Sequence, residues 1–221
     1  MVDKAQKSIL ISIPTLDVIK TETVSSLFAA TAQTDYPCKL HIHTSCYVHD
    51  ARNKSVDTAI SNGATHLMFI DSDMQFPPDG INRLMAHDLD VVAGLYFRRQ
   101  PPHLPTIHQK EGDKLMIPKT FPKDKPFEVY ALATGFMLIK VEVLKNIKPP
   151  WFFFGDFHGH AMGEDVYFCN KVRQKGYKIW CDPTIELGHV GMYSYGIQDY
   201  NAYQDIRPKD PVEDFGETEL P

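Results

Sequence analysis

His66-Leu-Met-Phe-Ile-Asp-Ser-Asp73 is the stretch on which the fold reading turns. Leu67 to Ile70 is apolar without alternation and too short for a helix, which is the pattern of a strand buried on both faces of a parallel sheet. It runs straight into Asp71-Ser72-Asp73, so two carboxylates stand at a strand's C-terminal end. In open α/β sheets, ligands bind in the crevice beyond those ends. Outward from this segment the chain alternates. Ser8 to Pro14 reads as a first strand, Thr21 to Ala32 as a helix spaced through Val24, Leu27 and Phe28, and Cys38 to His43 as a second strand. Ala51 to Ser61 is a second helix, and Pro77-Pro78-Asp79 opens a third that runs to about His87 before a strand over Asp90 to Tyr96. Such β-α-β-α-β-α-β order predicts an α/β, Rossmann-like doubly wound, mainly parallel sheet in a single domain.

From Arg98 to Phe127 the periodicity stops, and six of the chain's 16 prolines fall here with Lys110, Lys114, Lys119, Lys123 and Lys125. A long irregular excursion of this kind is either a lid over a binding site or a solvated insertion. Glu128 to Ile139 reads as a strand pair or a bent strand with Gly135 at the kink, and Val141 to Asn146 as a short helix. Glu164 to Lys175 has helical spacing with Gly176 closing it, Lys178 to Cys181 is a last strand, and Glu186 to Tyr195 a glycine-bearing loop. The domain is expected over residues 1–200, with an acidic, proline-containing C-terminal tail over 201–221.

The chain has 221 residues, 43% of them hydrophobic and 23% charged, which fits one globular domain and excludes a disordered or repeat architecture. Against 28 acidic side chains there are 23 basic ones, so no overall basic field invites nucleic acid. The apolar run Ile9 to Pro14 is too short for a signal-peptide core, and no window approaches a membrane span, so a soluble, cytoplasmic protein is expected. Cys38, Cys46, Cys169 and Cys181 form no Cys-x-x-Cys pair and read as reduced thiols.

Asp71 and Asp73 carry the strongest local signal. Two carboxylates at a strand end can hold Mg2+ or Mn2+ and leave coordination positions for phosphate oxygens. Asp and Ser also favour turns and helix caps, so spacing alone leaves both readings open. Gly163-Glu164-Asp165 stands where a helix begins, a place carboxylates take for the dipole's sake and one from which a base could reach the strand-end cleft. His189 in Gly188-His-Val-Gly191 is a third metal ligand or a hydrogen-bonded surface histidine. His41 and His43 share a strand face and read as packed or solvated side chains. His158 and His160, in the glycine loop, suit an acceptor or a turn. Of the cluster Trp151-Phe-Phe-Phe154, Trp151 is the candidate for stacking on a sugar and the phenylalanines are candidates for the core.

As an ordered set, Ala51-Arg52-Asn53, Phe69-Ile-Asp-Ser-Asp-Met74, Val92-Ala-Gly-Leu-Tyr96, Thr134-Gly-Phe-Met-Leu-Ile139, Gly163-Glu-Asp-Val166 and Gly176 to Pro183 followed by His189 resemble the GT-A glycosyltransferases. The likeness is to small bacterial, phage and viral members of the inverting family 2 type, and it covers Ile9 to about Tyr195. It implies a metal-dependent transferase that takes a sugar from a nucleoside-diphosphate sugar, UDP-sugars favoured, to an acceptor hydroxyl. By the resemblance, Asp73 and His189 ligate Mn2+ or Mg2+, and Asp71, the third residue of the metal site, lies nearer the donor's ribose and the metal's waters. Thr15, Arg52 and Ser72 lie with Asp71 and Asp73 against the nucleotide, and Asp165, with Glu164 beside it, is the general base. Trp151, His158 and His160 are the acceptor-side candidates. A retaining GT-A enzyme and a sugar nucleotidyltransferase are the alternatives, the latter disfavoured because the glycine-rich loop usual after its first strand is missing.

Overall fold

A computed structural model describes residues 7–112, 114–157, 160–191 and 194–204. In chain order the elements are β1 (Ile9–Thr15), α1 (Thr21–Gln33), β2 (Cys38–Thr44), α2 (Val48–Ser61), β3 (His66–Ile70), β4 (Met74–Gln75), α3 (Gly80–Ala86) and β5 (Val91–Gly94). There follow β6 (Ile107–Glu111), β7 (Lys114–Met116), β8 (Phe127–Val129), β9 (Ala131–Leu132), β10 (Phe136–Lys140), α4 (Val141–Lys145), β11 (Gly155–Phe157) and β12 (His160–Met162). The last are α5 (Glu164–Gln174), β13 (Ile179–Asp182), β14 (Gly188–Val190), β15 (Ser194–Tyr195) and α6 (Ile197–Gln204).

The main sheet has seven strands in the order β2-β1-β3-β10-β5-β13-β8. Five of them run one way, while β10 runs against β3 and β5, and β8 against β13. Successive side chains of a strand point to opposite faces, and the core divides accordingly. Leu67 and Phe69 of β3, Val91 and Ala93 of β5, and Met137 and Ile139 of β10 pack on one face with α2, α4 and α5, through residues such as Val56, Leu144 and Phe168. Met68 and Ile70, Val92, and Phe136 and Leu138 pack on the other with α1 and α3, through Leu27, Ile81 and Leu84. Burial on both faces is the reason these strands are continuously apolar.

Three expectations change. Val24 and Phe28 of α1 are exposed, Phe28 at 78%, whereas Thr23, Ser26, Leu27 and Ala30 are buried. The helix docks a partly polar stripe because that stripe holds the end of β3: Thr23 Oγ1 donates to Ser72 O, and Ser26 Oγ accepts from Phe76 N. The excursion from Arg98 to Phe127 is not structureless. β6 pairs with β7 and with β9, and Leu104 and Ile107 are buried. Finally, the segment expected as a C-terminal tail begins inside α6, which ends at Gln204; residues 205–221 lie outside the described residues.

Candidate active site

Two short strands build the first half of the site. After β3 the Asp71 amide donates to Gly135 O at 2.9 Å, and Ser72 O accepts from Lys20 N and Thr23 Oγ1. The chain then enters β4, which pairs antiparallel with β14, Met74 opposite His189 and Gln75 opposite Gly188. The Val190 amide donates to Asp73 O at 2.7 Å. This ladder carries His189 to Asp73, so the histidine sits in a strand and not in the loop expected over Glu186 to Tyr195.

His189 Nδ1 lies 2.9 Å from Phe97 O and must donate, since a carbonyl only accepts. Its Nε2 then faces Asp73 Oδ2 at 3.5 Å. A neutral ring in that tautomer opposes a lone pair to a carboxylate oxygen, an arrangement favourable only with a proton or a cation between them. The donor set therefore suits a divalent ion. Arg99 Nη1 reaches the same Oδ2 at 2.9 Å and also donates to Val190 O. Burial pushes the Asp73 carboxyl up, but His189 and Arg99 outweigh it and hold it below the usual carboxylate range.

Arg52 organises the second half. It projects from α2 and is 3% exposed, its guanidinium 5.8 Å from the ring centroids of both Phe69 and Phe152. Nη2 meets Asp71 Oδ1 at 3.0 Å and Glu164 Oε1 at 3.8 Å, while Nη1 donates to Asp165 Oδ1 at 3.0 Å. Burial works against its charge, and the three carboxylates more than restore it. Thr134 Oγ1 donates to the same Asp165 oxygen at 2.6 Å, so Oδ1 is fixed twice and Oδ2 accepts no hydrogen bond among the described residues. Burial, then repulsion from Asp165, lifts the Glu164 carboxyl to about 7, and burial also raises Asp71 against the pull of Arg52.

Gly135 lies between the two halves. Its amide donates to Tyr96 OH at 3.2 Å, and an added Cβ would stand 2.6 Å from that hydroxyl and 3.0 Å from Asp71 Oδ2. Burial and the charges of Asp71 and Asp165 keep the Tyr96 phenol protonated.

A cleft of about 310 Å3 is lined by Thr15, Cys46, Arg52, Asp71, Ser72, Asp73, Arg99 and His189. A larger cavity of about 710 Å3, lined by Gln75, Phe121, Lys123 and Leu187 among others, touches none of Asp71, Asp73, Glu164 and Asp165. The smaller one holds the candidate residues.

The sequence-predicted residues thus fall into three groups. Thr15, Arg52, Asp71, Ser72, Asp73 and His189 share one cleft, and Arg52 ties Asp165 and Glu164 to it. Arg52 lines the cleft and gives both terminal nitrogens to carboxylates. Asp71 gives Oδ1 to Arg52, and among the described residues no three His, Cys, Asp or Glu side chains gather as a metal-holding group, so Asp73 and His189 stand as a pair. Trp151 is corrected: it is 6% exposed, packs in the core and donates its indole N–H to Leu144 O, while Phe153 and Phe154 are the exposed aromatics, beside His49. His158 lies outside the described residues, and of His160 only the backbone, paired with Phe157, is described. Arg99 was not singled out from sequence, and Tyr96 and Thr134 stood within matching motifs without a role. Long-range register is what brings all three to the site.

No protein-family model matches the chain, and no curated protein matches it. Among solved structures it is similar to A197 from STIV, with 20% identity and a TM-score of 0.60 over 83% of this chain and 86% of that one. It also matches S. aureus TarS 1-349 at 15% identity, over 90% of this chain and 64% of that one, with a TM-score of 0.49. A glycosyltransferase involved in the glycosylation of the major capsid of PBCV-1 matches at 11% identity and a TM-score of 0.36, over 65% and 69% of the two chains. At 20% identity the likeness to A197 shows a shared fold alone, and the other two are more distant still. The fold is a single-domain, Rossmann-like α/β sandwich around a mixed, mainly parallel sheet, and it is similar to that of A197. Among the described residues no helix is long and apolar enough to cross a membrane.

Proposed function

We propose that the chain is a divalent-metal-dependent glycosyltransferase that moves a sugar from a nucleoside-diphosphate sugar, UDP-sugars being favoured, to an acceptor hydroxyl with inversion. One observation carries the reading. The Asp73–His189 pair lines a strand-end cleft with Asp71 and Arg52, and Arg52 ties the Asp165–Glu164 pair, which is far from it in sequence, to the cleft wall. Mn2+ or Mg2+ held by Asp73 and His189 would supply positive charge to a departing diphosphate.

The chain's own residues supply the remainder. Thr15, Ser72 and the cleft wall hold the nucleotide end. Arg52 and Thr134 fix Asp165 by one oxygen, leaving the other to take the acceptor's proton as its hydroxyl attacks. Glu164, whose carboxyl burial lifts to about 7, has a side chain 9% exposed against 25% for Asp165, so an acceptor hydroxyl reaches it less readily. Direct displacement by the activated hydroxyl inverts the anomeric carbon.

A panel of nucleotide sugars incubated with Mn2+ or with EDTA tests this. Slow, EDTA-sensitive release of a nucleoside diphosphate is expected from at least one donor. Pyrophosphate release from a nucleoside triphosphate and a sugar phosphate would instead establish a nucleotidyltransferase.

A further inference from the structure

Asp73 Oδ2 is approached by two nitrogens at once, His189 Nε2 at 3.5 Å and Arg99 Nη1 at 2.9 Å. The two differ in mobility. His189 is fixed by its Nδ1 bond to Phe97 O and by the β4–β14 ladder. Arg99 stands at the entrance to the 98–127 excursion, and its side chain is 44% exposed, reaching Asp73 from the solvent side on a long, flexible stem. Its other bond is to a backbone carbonyl, Val190 O, at 3.2 Å. The guanidinium therefore occupies a coordination direction of the oxygen that a divalent ion would use. It also lines the cleft whose expected ligand carries a diphosphate, and arginine pairs well with phosphate oxygens.

We propose that Arg99 is a built-in counter-ion for Asp73, displaced when a divalent cation binds, and that the displaced guanidinium then pairs with the diphosphate of the nucleotide. This rests on the metal-dependent reading above. The exchange keeps Asp73 neutralised before the metal arrives and gives the diphosphate a second cation after it arrives. No cation leaves without an anion to receive it.

The signature is a change of sign. Arg99→Ala should bind Mn2+ alone more tightly than the wild type, by about five-fold for a half-exposed pair, as free Mn2+ measured by electron paramagnetic resonance. At saturating Mn2+, the same variant should bind UDP more weakly by calorimetry, with Arg99→Lys between the two in both assays. Arg99 is exposed, so an unchanged melting temperature is expected and excludes misfolding. If Arg99→Ala bound Mn2+ no more tightly than the wild type, the counter-ion role would be overturned; unchanged UDP affinity would overturn the transfer to the diphosphate. If neither protein bound Mn2+, or Asp73→Ala bound it equally well, the metal-dependent reading itself would fall, a result distinct from both.

Discussion

At the scale of single residues, Arg52 is the cation on which three carboxylates depend. Removing one partner of a buried ion pair leaves the others uncompensated at a cost of about 3–5 kcal/mol, so Arg52→Ala should lower the unfolding free energy extrapolated from urea titration by an amount of that order. Asp165→Asn keeps an oxygen to accept from Thr134 and Arg52 but cannot take a proton. It should cut turnover by about 10²-fold while nucleotide affinity changes little, with Glu164→Gln less harmful; equal losses from both would reassign the base. Glu164 also predicts a pH effect. Its carboxyl is raised from an ordinary 4.5 to about 7 in the folded protein, so the fold binds its proton more tightly than the unfolded chain. Stability from this group is greatest at low pH and is lost as pH rises through that window. His66 and His108, lowered to about 4 chiefly by burial, act in the opposite sense and lose stability as pH falls below 6.5. The gain in melting temperature of Glu164→Gln over the wild type should therefore grow between about pH 5 and about pH 8. A constant difference would contradict the burial of a charge there.

At the scale of elements, the site depends on two very short strands, β4 and β14. Asp71, Asp73, Glu164, Asp165 and His189 were legible as chemical candidates because carboxylates at strand and helix ends are conspicuous. The ladder that joins Asp73 to His189 was not, because β4 and β14 have two and three residues and carry no periodic signal. Arg99 was invisible for the same reason, its partner being set by that ladder. The junction between β9 and β10 was partly legible: Gly135 was read as a kink, but the close approach of Tyr96 and Asp71 that requires a glycine comes from a different part of the chain. Gly135→Ala should cost about 1–3 kcal/mol through overpacking and lower donor turnover as Asp71 shifts. Wild-type turnover in a correctly folded variant would show that the contact does not position the site. The excursion read as irregular contains the buried anchors Leu104 and Ile107, so only its β6–β7 tip can be trimmed without opening the core.

At the scale of the whole molecule, the alternation of strands and helices was readable from Ile9 onward because both-face burial writes a continuous apolar run into each central strand. Strand order was not. β10 enters between β3 and β5 from far along the chain, and no local pattern encodes that neighbour. Its antiparallel insertion puts Thr134 and Gly135 at the ends of the parallel strands, beside Asp71 and Asp165, which is how the proposed metal pair and the proposed base come to share an edge. The central claim, that this edge breaks the bond between a sugar and a nucleoside diphosphate with a divalent ion on Asp73, is tested most directly by following the anomeric proton of a UDP-sugar by NMR. With diamagnetic Mg2+, the donor signal should decay in the wild-type protein, with the first product of inverted configuration, and should persist in EDTA and in Asp73→Ala. Decay at the wild-type rate in Asp73→Ala, or in EDTA, would contradict it.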